Sequence, residues 1–205
     1  MRISLRPVLI GLILLVAVVG LVRVVPATNS QPNTSASLGV TNGQCTQAHE
    51  GVSLVVDFGA DSGREPLVKC AANFNSAKSS VSNLLSGWQL FAATGVAVAG
   101  TTEYAVGFVC RIDGYPTVAE QPCTSTPTYA QGHWAYFYSQ AGSSGAGSSG
   151  AGKAGRWQFS MTGAADHKPD CGSVEGWLFV RGNSAGATAS KLQPSVSPKA
   201  FSCAP

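Results

Sequence analysis

Residues able to do chemistry are scattered along this chain. A Ser-His-Asp set can be assembled on paper from many serines, from His49, His133 and His167, and from Asp57, Asp61, Asp113, Asp166 or Asp170. No nucleophile context is read around any serine, so no catalytic residue is assigned and an enzyme is not expected. The run Asp166-His-Lys-Pro-Asp170 has metal-ligating types, but Lys and Pro between them suit a solvated turn. No Cys-x-x-Cys pair accompanies the scattered histidines, so neither a zinc site nor a cofactor is expected.

The informative side chains are aromatic. In His133-Trp-Ala-Tyr-Phe-Tyr138 the residues alternate, which puts Trp134, Tyr136 and Tyr138 on one strand face and Phe137 on the other. Trp157, Phe159, Trp177 and Phe179 follow on later strands. Two readings stand side by side. All these rings are core and cross-strand filler. Or Trp134, Tyr136 and Tyr138, with Arg111 and Tyr115 nearby, form a ligand platform for a planar or sugar-bearing molecule.

The elements that would position these residues are short strands around one helix. Residues 52–58 are β-branched and apolar and read as a strand, 59–63 as a turn, and 65–71 as the returning strand. Val81, Leu84, Leu85, Trp88 and Phe91 fall on one helical stripe, which predicts a helix over 80–94 ended by Gly95. Gly87 inside that helix costs about 1 kcal/mol relative to Ala, which a close helix–sheet approach would explain. Further strands are expected at 103–112, 133–139, 156–161 and 173–180. The fold class is therefore α+β, a mixed sheet of four or five strands crossed by one helix.

The N-terminus reads as a targeting signal. Arg2 and Arg6 precede an unbroken apolar run from Val8 to Val22, and Val25-Pro-Ala27 supplies small residues. This is the three-part pattern of a secretory signal, or of an N-terminal membrane anchor if it stays uncleaved. The chain has 13 Lys plus Arg against 10 Asp plus Glu. Setting aside Arg2, Arg6 and Arg23 leaves ten of each, so no basic footprint for nucleic acid remains. The expected division is 1–27 signal or anchor, 28–44 flexible linker, 45–181 domain and 182–205 Gly-, Ala-, Ser- and Pro-rich tail. Within the domain, 141–155 is a five-residue repeat without core-forming side chains, read as a tolerant loop. The expected location is outside the cell, secreted or held on the outer face of the plasma membrane.

Six cysteines in an exported chain read as three disulfides, among 15 possible pairings: Cys45, Cys70, Cys110, Cys123, Cys171 and Cys203.

Read in order, several short motifs resemble a family. They are Gly51-Val-Ser-Leu-Val-Val-Asp-Phe-Gly59, Val68-Lys-Cys-Ala71, Phe108-Val-Cys-Arg-Ile-Asp-Gly-Tyr-Pro116, the Trp134-Ala-Tyr136 strand and Gly172-Ser-Val-Glu-Gly-Trp177. Together they are similar to actinobacterial secreted proteins with a domain like the C-terminal cap of transcobalamin, in the soluble-ligand-binding β-grasp group. The resemblance spans roughly 45–180 and implies a β-grasp-like fold. In transcobalamin this domain closes over a corrinoid held by a second, helical domain. The resemblance thus implies a non-enzymatic small-molecule binding module, for a corrinoid or other vitamin, accessory to uptake and partnered by a membrane transporter or surface protein. A structural or adhesive surface domain contacting protein or wall polymer is the alternative. Two departures stand out: no helical partner domain is read here, and Asp113 replaces the Asn of the family's Ile-Asn-Gly turn. Cys45, Cys70, Cys110 and Cys123 match family cysteine positions. They are expected to pair as Cys45–Cys70 and Cys110–Cys123, leaving Cys171–Cys203 to pin the tail.

Overall fold

The computed structural model describes residues 38–77, 79, 84–141, 155–182 and 192–204. At its centre lie two strands, β2 (Gly51–Asp57) and β8 (Val174–Val180), parallel to each other and buried at every residue. Such strands need cover on both sheet faces, which their near-continuous apolar sequences anticipate. The six-stranded mixed sheet runs β1 (Gly39–Asn42), β3 (Leu67–Ala72), β2, β8, β6 (His133–Ser139) and β7 (Gln158–Phe159). All other neighbours in it are antiparallel. A separate two-stranded sheet pairs β4 (Val98–Gly100) with β5 (Val109–Ile112).

One sheet face carries the larger core. Val52, Leu54, Val56 and Phe58 of the β2 region, Trp134 and Tyr136 of β6, and Trp177 and Phe179 of β8 meet Leu90 and Phe91 of helix α1 (Gly87–Thr94). The opposite face carries Ala135, Phe137, Leu178 and Val180, packed with Trp157 and Leu192. Alternation along β6 thus divides its rings as expected, but buries both sets.

The second face is covered by a strap, residues 192–204. Its backbone bonds to the domain repeatedly: Trp157 Nε1 donates to Val196 O (3.0 Å), and Ser195 N donates to Asp57 Oδ2 (2.7 Å). Ala204 N donates to Glu50 Oε1 (2.7 Å) and Phe201 N to Gly172 O (3.0 Å). The Cys171–Cys203 disulfide fastens its end. Cys45–Cys70 closes the β2–β3 hairpin, and Cys110–Cys123 ties β5 to the following loop. These are the three bridges expected, and they make the domain a disulfide-bonded α+β fold. They are compatible with a location outside the cell.

Several boundaries differ from those expected. The helix starts at Ser86, not near residue 80, because Ser86 and Gln89 form a capping box there. Just before it, the Asn75 side chain takes both Leu85 N (2.7 Å) and Leu85 O (2.8 Å), which holds that residue out of the helix. Leu84 is consequently exposed, Leu85 and Trp88 are partly buried, and Phe91 is fully buried; Val81 lies outside the described residues. Gly87 is the first helical residue, and a Cβ there would lie 2.7 Å from Tyr136 Oη, so the close approach is real. The sheet also starts earlier than expected, at Gly39 inside the segment read as linker. Strand 103–112 shrinks to β5, because the 104–107 turn packs on β4 so tightly that a Cβ on Gly100 would meet Tyr104 O at 2.4 Å. Strand 156–161 shrinks to β7. Most of the repeat (142–154) lies outside the described residues. So does the segment 1–27 read as an export signal or anchor, and among the described residues no helix is long and apolar enough to cross a membrane.

Candidate functional site

The carboxyl ends of β2 and β8 open into a cleft of about 340 Å³. Phe58, Gly59 and Asp61 follow β2, Phe179 and Arg181 end β8, Tyr115 comes from the turn after β5, and Leu192 comes from the strap. Gly59 (φ 80°) lets the chain leaving β2 pass close against β8, since a Cβ there would meet Phe179 O at 2.7 Å. Asp57 locks the corner, accepting from Gly59 N (2.9 Å) on one oxygen and from the strap on the other.

The inner walls are rings in edge contact. Tyr115 meets Phe58 at 5.8 Å and Phe179 at 5.0 Å between centroids. Trp134 lies beneath, touching Phe58 (5.9 Å), Phe179 (5.3 Å) and Tyr115 (6.4 Å). The mouth is charged. Arg181 donates to Tyr115 Oη (3.1 Å) and to Glu120 Oε1 (2.8 Å). Arg64 lies 3.8 Å over the Phe58 ring and pairs with Asp113. Asp113 (φ 48°) and Gly114 (φ 76°) both take left-handed backbone, which Asp tolerates as Asn does, and the extra charge is used by Arg64. The Glu120 carboxyl is held down at about 2, chiefly by the Thr117 backbone N–H and then by Arg181.

The five residues read as a ligand platform do not come together on one surface. Tyr115 lines the cleft. Trp134 is buried behind it, and Tyr136 is buried against Trp177, stacked at 4.5 Å and 14°. Both border a smaller hollow of about 130 Å³ beside Trp88. Tyr138 is half-buried, its hydroxyl 3.3 Å from Gln158 Oε1. Arg111 is spent on the Cys110–Cys123 loop, donating to Pro116 O (2.6 Å) and Gln121 O. A strand with both faces covered has no face left for an exposed platform.

Beneath α1 lies a polar cluster that the sequence reading passed over. Glu175 is fully buried in mid-strand; its carboxylate accepts from Tyr136 Oη and, at 3.4 Å, from Ser173 Oγ. His167 Nε2 stands 3.5 Å from the same carboxylate, and its ring faces Tyr136 and Tyr138. Burial, then the Glu175 charge, pushes the Tyr136 phenol far above its ordinary range, and the hydrogen bond to Glu175 raises His167. His167 thus belongs to this cluster and not to a solvated turn; among the described residues no acidic, His or Cys group is arranged to hold a metal. The signal was a lone Glu within an otherwise apolar strand. Gly182-Asn-Ser-Ala-Gly186 also has the letters of a nucleophile elbow that the reading overlooked. Such an elbow requires a strand-to-helix turn, and Ser184 lies outside the described residues.

No protein-family model, curated protein or solved structure matches the chain.

Proposed function

We propose that this protein is an extracellular, non-enzymatic binding module whose ligand enters the cleft at the ends of β2 and β8. One observation carries the reading: a concave, aromatic-walled space of about 340 Å³ with a few polar groups at its mouth. Small-molecule sites have this make-up and start at about 300 Å³. A larger hollow of about 490 Å³ lies between the strap and residues 155–157, walled by coil, and offers no comparable rigid frame.

The ligand class we favour is a corrinoid or another vitamin, with the domain acting beside a membrane transporter or surface protein. A whole corrinoid is far larger than the cleft, so this domain would grip one edge of it, as a cap closing over a ligand held by a partner. The strand order supports a β-grasp reading and kinship with transcobalamin-like caps: hairpin β2–β3, a crossing helix, then β6 and a last strand parallel to the first of the hairpin. Secretion, or an N-terminal anchor on the outer face of the plasma membrane, accords with three disulfides.

Tryptophan emission tests this. Trp134 touches three rings of the cleft wall, so a bound ligand should change its emission on titration with corrinoids and a cofactor panel. An inert panel would favour the alternative, an adhesive surface domain. That second reading is favoured by Met161, Val106 and Tyr104, which are 90%, 52% and 50% exposed on the segments flanking the 130 Å³ hollow.

A further inference from the structure

Independently of the cleft, we propose that the outer edge of β6 at Trp134 takes up an extended segment of a partner protein, which adds to the sheet as a strand and sets one apolar side chain in the hollow of about 130 Å³. β6 runs over seven residues, but β7 pairs with it at Phe137 and Tyr138. The Ser160 hydroxyl ends that pairing: it donates to Thr162 O (2.7 Å) and accepts from Thr162 N (3.3 Å), which bends the chain off the sheet. The chain then climbs to α1, where Ala164 O accepts from Trp88 N (2.9 Å) and His167 O from Gly87 N (2.9 Å).

The stretch of β6 left without a neighbouring strand includes Trp134. Tyr136 O accepts from Ser160 N (2.9 Å), so Tyr136 turns its main-chain groups away from β8. Trp134, two residues earlier on the same strand, does the same. Its N–H and C=O find no partner among the described residues. Unpaired main-chain groups on a buried residue are costly, and they favour an occupant that brings both a donor and an acceptor. An extended polypeptide does so with a single residue. A residue paired with Trp134 puts its side chain on the same sheet face as Trp134. That is the face of the hollow, bounded by Trp134, Tyr136, Trp88, Phe108 and Ala164, with no charged residue in its lining. Its volume suits one branched aliphatic or phenyl side chain, since a cavity of about 150 Å³ takes benzene. Tyr104, Val106 and Met161, exposed on the flanking segments, extend the apolar contact to the neighbouring residues of the added strand.

The experiment titrates the intact, oxidised protein with acetylated, amidated peptides Ser-Thr-Thr-X-Thr-Thr-Ser, X being Leu, Ile, Val, Phe or Ala, and follows backbone amide resonances. The best-fitting of the Leu, Ile, Val and Phe peptides should shift residues 133–135, 107–109 and 162–164 saturably. Residues 58–61 should stay still, which keeps the outcome separate from that of the cleft. The Ala peptide should bind about ten-fold more weakly or worse, as expected from losing a buried apolar side chain. N-methylation of X removes its N–H and should weaken the best peptide roughly two- to ten-fold. Equal binding of the N-methylated or the Ala peptide would overturn strand addition, and so would silence from all four apolar peptides. If the same amides shift when the protein alone is concentrated, the occupant is a second copy and the partner segment is refuted.

Discussion

Tyr136→Phe removes one buried oxygen and leaves the ring on Trp177. The wild-type hydroxyl donates to Glu175, whose carboxylate is fully buried and otherwise has, among the described residues, Ser173 Oγ at 3.4 Å and His167 Nε2 at 3.5 Å. Removing a hydrogen bond to a buried charge costs about 1.5–3 kcal/mol. For a domain of this size each kcal/mol lowers the melting temperature by about 2–4 °C, so the variant should melt roughly 3–12 °C lower. The loss should also depend on pH. His167 has its folded-state pKa raised, first by the hydrogen bond to Glu175, with Asp170 adding a smaller attraction. Its contribution is therefore fully present below its unfolded value near 6.5 and is lost as pH rises through the folded value. With the phenol gone, His167 is the main partner left to Glu175, so the variant's deficit should be larger at pH 8 than at pH 5.5. Calorimetric melts of both proteins across that range decide it. A variant melting within 1 °C of wild type, or a deficit that shrinks as pH rises, refutes the account of the cluster.

Replacing Cys171 and Cys203 together by Ser opens a loop of 32 residues, which the chain-entropy model values at about 4 kcal/mol. Urea unfolding should show a loss up to that size, with red-shifted Trp157 emission as the strap lifts. Peptide mapping without reduction should join Cys203 to Cys171 alone. Gly87→Ala should destabilise by about 1–3 kcal/mol despite the better helix propensity of Ala, because the new methyl meets a phenol anchored by Glu175; a rise in melting temperature would show the contact to be slack. Shortening the 141–155 repeat to a single turn should leave melting nearly unchanged, since halving a loop alters closure entropy by only about 0.6 kcal/mol. A fall of many degrees would mean that the repeat packs on the domain.

Fold class was legible because it rests on local patterns, the apolar runs of β2 and β8 and the alternation of β6, while the disulfide pairing came from the cysteine positions that the family resemblance implies and the two cysteines left over. What stayed hidden depends on tertiary contacts. The helical stripe from Val81 to Phe91 is genuine as a pattern, but Asn75, ten residues before Leu85, takes that residue's backbone and delays the helix to Ser86. Gly39–Asn42 has too few apolar residues to signal a strand, and pairs because β3 offers it an edge. Of the two readings of the β6 rings, burial favours the core one for Trp134 and Tyr136, whose face is covered by α1 and by Ala164 and His167, contacts without a local signature. Of the cleft's lining, only Tyr115 was named beforehand as a ligand contact. Arg181, Phe58 and Phe179 converge there because two strands distant in sequence are parallel, a relation without local signature.

The central claim, that the crevice at the ends of β2 and β8 is a binding site, is tested most directly by mapping amide shifts during titration with a corrinoid and the cofactor panel. The account predicts saturable shifts confined to Phe58–Asp61, Tyr115 and Leu178–Arg181. Saturable shifts at Trp134–Tyr138 and residues 161–164 with the cleft silent, or no shifts with any compound, would contradict it.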